Sequence, residues 1–580
     1  MRTTKMNKTI LNLLPPMAAM LLTATAYAAV PGITGAGGTP AFSLTAQAAY
    51  LNMPDGEAVY TWGYGCNAAP TGFLPPATLM PGTTCPSMQI PGPTLIVHEN
   101  DVVTVTLLNG LPTAAGNTSI LFPGFQVAAT GGVAGLLTQE AAPAGTVTYT
   151  FTASSPGTRA YYSGTQGDLQ IEMGLYGSII VLPKTVPANC TTGYHASNLT
   201  AQAHWGEQDF RLSQAAYDHP ASCYDREYLF QWAEMDSRIH KQAEAEVGDP
   251  VRVTACAVGA GTKGCSLDVQ TEPYHPSYFL INGRSMPDLM DPNYAAEYPH
   301  QPYNGNPHMH PGELTLIRTI GQGRWQHPFH EHANHVRILA RDANLILSSS
   351  TTPISYSTPG GTAASGPPLA GVLMFNTDTT PGQAFDGIFY FTGRGLNWDP
   401  YGHHAGSDVG TVPGATGTPT NDPLAHLSCT ADVNGYNTAG TAPTAVNYFE
   451  WCQDHNKPVQ VNPFGDVAAG GPVTLPDSNI LTDGAWYGGT PYLGPDASLR
   501  ATAPACIGNP YGATPGNPAN AGCTTLLPSN TQANPANERG WAFMWHSHNE
   551  REITTNNVFP GGMLMMMLVD SREFVIDESM

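Results

Sequence analysis

The chain has 580 residues, of which 41 % are apolar and only 11 % charged, with 62 glycines and 52 prolines. That length suits three or four domains, and few charges among many turn formers point to short strands joined by long loops rather than to helical bundles. Twenty-two basic residues against 44 acidic ones leave a formal charge of −22, which argues against nucleic acid or an anionic membrane surface as a partner.

Arg2, Lys5 and Lys8 precede an apolar run from Ile10 to Leu22, broken by Pro15-Pro16 and followed by Ala26-Tyr27-Ala28. This pattern predicts a signal peptide over 1–28 and a secreted or periplasmic mature protein. The run is too short and too broken to span a bilayer, and no later segment is apolar for about 18 residues, so no transmembrane segment is expected in the mature chain. The ten cysteines fall as neighbours, Cys66/Cys85, Cys190/Cys223, Cys256/Cys265, Cys429/Cys452 and Cys506/Cys523. Disulfides suit export, and neighbour pairing would give five of them, although sequence alone leaves the connectivity open.

A first β domain is expected over 30–185. Asp101 to Asn109 alternates Val and Thr with period two, the mark of a half-buried strand, and Thr146 to Phe151 alternates in the same way. A second unit is expected over 190–400. Its strand-like stretches are His204 to Phe210, Tyr228 to Glu234 and Glu313 to Arg318, with an Asn282-Gly283 turn and a closing strand near Ala384 to Thr392. A loop or linker rich in Gly, Thr, Pro and Ala covers 401–440, and a third β unit is expected over 441–580.

The most informative stretch runs from His327 to His335 and holds four histidines, His327, His330, His332 and His335. Side chains alternate along a strand, so His330 and His332 share a face. His546-Ser547-His548 repeats the His-x-His pattern near the end of the chain. Imidazole suits copper, zinc, iron and nickel, so ligand type does not choose the metal. The structural alternative is that these are surface or core histidines. His308 and His310 form a third pair in a Pro- and Asn-rich setting that reads equally as a loop, and His403-His404 reads as a surface feature. Glu331, Glu550 and Glu552 border the motifs. They are either solvated charges or part of a mixed shell suited to manganese, iron or zinc.

His327-Pro328-Phe329-His330-Glu331-His332 and Trp545-His546-Ser547-His548, with Pro91-Gly92-Pro93-Thr94-Leu95 and Gly174 to Val181, resemble the multicopper oxidases. The resemblance implies an all-β chain of tandem cupredoxin-like Greek-key β-sandwich domains, with copper as cofactor. It also implies losses. Leu121, Pro123, Tyr162 and Gly164 stand where that family has four first-domain histidines. Ser547 stands at the copper-binding cysteine and Glu552 at a type-1 histidine, which leaves His327 alone at the blue site. His330, His332, His546 and His548 match half of the trinuclear ligands. The candidate metal set is therefore His327, His330, His332, His335, His546 and His548. His335 and His546 are 211 positions apart, so the two motifs are expected in different domains, meeting across an interface. The function expected is a secreted copper-binding metalloprotein without a type-1 blue copper site; Ser547 in place of the thiolate argues against a laccase-type mechanism, and the residues leave open whether oxidoreductase turnover survives. The alternatives are a non-catalytic surface or interaction scaffold and a copper carrier.

Overall fold

The computed structural model describes residues 30–205, 207–258, 267–310, 312–350, 352–356, 361–391, 489–493, 539–570 and 576–578. The expected signal peptide, the 401–440 linker, His403-His404 and the cysteines at 265, 429, 452, 506 and 523 lie outside the described residues. Cys66–Cys85 and Cys190–Cys223 are disulfide-bonded, as neighbour pairing predicts.

The first sandwich has two five-stranded sheets. One runs in the order Ala58–Cys66, Ala41–Asn52, Val102–Asn109, Thr146–Thr152, Ala128–Gly131. Its Val/Thr alternation works as expected: Val103, Val105 and Leu107 are buried against Trp62, Tyr149 and Ile179 while the intervening threonines face outward. The other sheet runs Gly157–Tyr162, Tyr176–Leu182, Leu95–His98, Gly32–Thr34, Gly72–Leu74. Strand Tyr176–Leu182 is buried at every position. Its outward-facing Ile180 and Leu182, with Ile96, pack on Leu229, Ile320 and Ala384 of the second sandwich.

The second sandwich combines a seven-stranded and a six-stranded sheet. The larger contains Tyr278–Ile281, Arg226–Met235, Leu314–Gly321, Ala384–Tyr390 and Val336–Arg341 in that order. The smaller runs His308–Met309, Leu564–Asp570, Arg539–Ser547, His327–Glu331, Asn376–Thr379, with Gly489–Leu493 also paired to Arg539–Ser547. The division between 190–400 and 441–580 is thus not followed by the strands: Arg539–Ser547 lies hydrogen-bonded between Leu564–Asp570 and His327–Glu331 in one sheet. The long sequence interval between the motifs, which includes Val336–Arg341, Asn376–Thr379 and Ala384–Tyr390, separates strands that neighbour each other in space. Phe329, Trp545, Met565 and Phe389 share one core across the two sheets.

Among the described residues, three helices of nine or more residues stand apart from the strand-only expectation. Gly193–Trp205 ends where a strand was expected, and residues 207–210 lie outside any strand. Ser237–Val247 is capped by Asp236, whose carboxylate accepts from the Arg238 N–H at 3.0 Å, and buries Ile239 and Ala243 on the first sandwich. Pro250–Val258 follows. The expected Asn282-Gly283 turn forms with φ of 54° and 84°. The left-handed backbone suits both residues, and a Cβ on Gly283 would meet the Ile90 carbonyl oxygen at 2.2 Å.

Arg226 ties this sandwich to the end of the chain. Its guanidinium is buried and holds three carboxylates, Glu313 at 2.5 Å, Glu207 at 2.6 Å and Glu578 at 2.9 Å. Removing the cation leaves buried carboxylates without a counter-charge. Arg226→Leu is expected to lower the unfolding free energy by about 3–5 kcal/mol in urea denaturation; a change within experimental error would show the cluster to be energetically neutral.

Candidate metal centre

The pairing of His327–Glu331 with Arg539–Ser547 sets the site. Phe329 lies opposite Ser547 and His330 opposite His546. Residues directly opposite in an antiparallel pair share a face, and neighbours along each strand alternate. The histidine motifs are therefore sorted onto two faces. His330, His332, His546 and His548 gather on one. His327, Phe329, Glu331, Trp545 and Ser547 belong to the other, turned into the sandwich.

On the first face, the ligand nitrogens of His330, His332 and His546 all lie within 4.8 Å of one another. The ring centroids of His330 stand 4.7 Å from His332 and 5.4 Å from His546. His546 Nδ1 donates to the Ser547 carbonyl at 2.6 Å, which leaves Nε2 as the lone-pair nitrogen, 3.2 Å from His332 Nε2. Two imidazole nitrogens bound tetrahedrally to one ion at about 2.0 Å stand about 3.3 Å apart, so the donor set fits a transition metal. Burial, reinforced by the neighbouring His332 and His546, pushes His330 down to about 4. Burial lowers His546 as well. Both imidazoles are thus neutral at pH 7, the form that binds a metal. His548 sits at the rim, its side chain 55 % exposed and its ring 4.9 Å from that of His330. His335 is set outside the cluster, edge-on to Phe375 at 5.2 Å, and Phe375 meets His330 at 5.8 Å.

On the inner face, His327 does not join the cluster. Its Nδ1 lies 2.9 Å from Glu552 Oε2 and its Nε2 lies 2.8 Å from Glu234 Oε2. The Ser547 hydroxyl donates to the same Glu552 oxygen. The positions that the resemblance assigned to a blue copper, His327, Ser547 and Glu552, do converge, but as a buried hydrogen-bonded bridge. Burial alone would lower His327; the two carboxylates outweigh it and raise it to about 9.

The remaining expectations sort as follows. Glu331 points into the core and accepts from Thr377 at 2.8 Å, and burial pushes its carboxyl well above the usual carboxylate range. Glu550 is 78 % exposed. His308 and His310 are buried in strand and loop, with Asp570 2.6 Å from His308 Nδ1 and Glu207 2.6 Å from His310 Nε2. In the first sandwich the Leu121 N–H donates to the Tyr162 carbonyl at 2.7 Å. A Cβ on Gly164 would meet Leu121 at 2.8 Å. Of the four lost-ligand positions, Leu121 and Tyr162 pair with each other and the Leu121 side chain fills the space beside Gly164. Glu234 escaped the sequence reading. Its signal is a carboxylate ending the apolar run Tyr228-Leu229-Phe230-Gln231-Trp232-Ala233, where a buried charge demands a partner.

The inner bridge has a pH signature. A histidine raised from 6.5 to about 9 stabilises the folded chain fully below about pH 6.5, and the contribution fades as pH rises through 9. The amount at stake is about 3 kcal/mol. Wild-type protein should lose unfolding free energy between about pH 6.5 and 9 relative to His327→Gln, as read from thermal melts in matched buffers. Parallel curves would mean that His327 is neutral in the fold.

The family model described as "Multicopper oxidase" matches residues 83–186. The copper-containing nitrite reductase of Pseudomonas chlororaphis is 35 % identical over 109 residues, a match spanning 18 % of this chain and 29 % of the reductase. Among solved structures, the blue copper oxidase of Nitrosomonas europaea aligns over 91 % of this chain and 85 % of its own at 12 % identity and a TM-score of 0.38. The copper nitrite reductase of the same organism aligns over 61 % and 85 % at 18 % identity and a TM-score of 0.32. Residues 83–186 are thus similar to a multicopper oxidase domain, and the match to the curated reductase spans less than a third of that protein's length.

Proposed function

We propose that this is an exported copper protein whose ion is held by His330, His332 and His546, with His548 at the open rim, and that it is an oxidoreductase lacking a type-1 blue site. The observation that carries the reading is the convergence of three imidazole nitrogens within 4.8 Å on one face of two paired strands. Copper relatives support the choice of metal. The Ser547 hydroxyl and the Glu552 carboxylate at the type-1 positions support the loss of the blue site, because an alcohol does not replace a thiolate there. Export is supported by the basic-apolar-small pattern of residues 1–28.

Copper bound at such a site supplies one-electron redox chemistry. The chain's own residues do the rest. Neutral His330 and His546 present lone pairs without first releasing a proton. The Ser547 carbonyl fixes the tautomer of His546. His548 leaves one side of the site open to water and to a small oxidant. Phe375 forms an apolar wall beside His330.

Copper loading of the purified protein is expected to give bound metal with an electron-spin-resonance signal and no intense blue absorption. His330→Ala/His546→Ala should lose most of that metal. An intense blue band would show a thiolate on copper and overturn the assignment. No bound metal under any loading condition would favour the non-catalytic scaffold.

A further inference from the structure

The bridge on the inner face is built more completely than packing requires. Glu234 Oε1 accepts the N–H groups of Arg324 at 2.7 Å and Trp325 at 2.8 Å and faces the Tyr274 hydroxyl at 3.0 Å. Glu552 Oε1 accepts from Asn549 Nδ2 at 2.9 Å, and its Oε2 accepts the Ser547 hydroxyl. Both carboxyl groups are surrounded by donors, and each turns an acceptor oxygen to one nitrogen of His327. Each then needs a hydrogen from His327, and the ring supplies two only when protonated at both nitrogens. Next in line beyond Glu234 are Tyr274, Glu172 at 2.6 Å from the Tyr274 hydroxyl, and Arg324 over the Tyr274 ring.

The bridge also reaches the other face of the sheet. Ser547 is the residue between His546 and His548. Its hydroxyl accepts the Asn549 N–H at 3.1 Å, and the Glu552 N–H donates to the Asn549 carbonyl at 2.8 Å. The turn that leads away from His548 is thus tied to Glu552, and Glu552 is tied to His327. Because His327 belongs to the six-stranded sheet and Glu234 to the seven-stranded one, the tie is anchored across the sandwich.

We propose that His327 is a positioning residue for the three-histidine centre: as an imidazolium between Glu234 and Glu552 it fixes the Ser547 turn, and through it the orientation of His546 and His548. A protonated ring thereby does, at the vacated blue-copper positions, the bracing that a bound ion would do. This rests on reading His330, His332 and His546 as a metal centre.

The test titrates Cu²⁺ alone into the full-length protein, wild type against His327→Gln and His327→Gln/Glu552→Gln, with unfolding curves to confirm that each is folded. Copper affinity should fall by about 10–100-fold in His327→Gln, with a changed electron-spin-resonance spectrum. The double variant, relieved of its unpaired carboxylate, should recover part of the loss. A folded His327→Gln with wild-type affinity and spectrum overturns the proposal, as does a folded double variant no better than the single. Nitrogen-15 NMR of the metal-free protein gives a second readout. Two hydrogen-bonded N–H protons on His327, with His546 and His548 resonances displaced in His327→Gln, support the proposal. A single N–H on wild-type His327, or unmoved His546 and His548 signals, overturns it. Wild-type protein that takes up no copper defeats the metal-centre reading, and the NMR arm then decides the positioning role by itself.

Discussion

Everything specific about this molecule depends on the side-chain alternation of two adjacent antiparallel strands. His327–Glu331 and Arg539–Ser547 are in a register that sets His330 against His546 and Phe329 against Ser547. A shift of one residue would turn His330 into the core and Glu331 outward. The register is held from the inner side, where Phe329 packs 4.7 Å from Trp232 and 5.9 Å from Trp545. Apolar packing on one face therefore fixes polar geometry on the other, and the histidine-bearing face does not have to specify its own alignment.

The same alternation separates two kinds of histidine that the sequence sets side by side. His330 loses its proton to burial among other imidazoles, while His327, three residues earlier, keeps its proton between two carboxylates. Neither side chain has an unusual neighbour along the chain. What distinguishes them is the face of the sheet, and the carboxylate that decides the matter for His327, Glu234, comes from the opposite sheet.

Period-two patterns were legible throughout: the Val/Thr strand from Val102, the Asn282-Gly283 turn and the shared face of His330 and His332 all follow from local chemistry. Two disulfides followed from proximity in sequence. Helices were missed because glycine- and proline-rich composition masked short helical runs such as Ser237–Val247, although its Asp236 cap and its Ala-, Glu- and Lys-containing body are visible in hindsight. Strand order is not sequence order: Arg539–Ser547 pairs with His327–Glu331 across more than two hundred residues, a pairing that no local pattern announces. The partners of His308, His310 and His327 were illegible because Asp570, Glu207, Glu234 and Glu552 are distant in sequence and adjacent only in the fold.

The distance in sequence between the two ligand-bearing strands has its own meaning for assembly. His330 and His332 emerge from synthesis more than two hundred residues before His546. Until that last strand pairs, the sheet edge formed by His327–Glu331 carries only two of the three imidazoles and lacks its closing neighbour. Contacts so far apart in sequence form late, because the intervening chain must be gathered before they repay its entropy. A chain cut short before Arg539 contains the more conspicuous histidine motif and lacks the strand that carries His546, so the three-imidazole cluster is complete only when Arg539–Ser547 has arrived and paired.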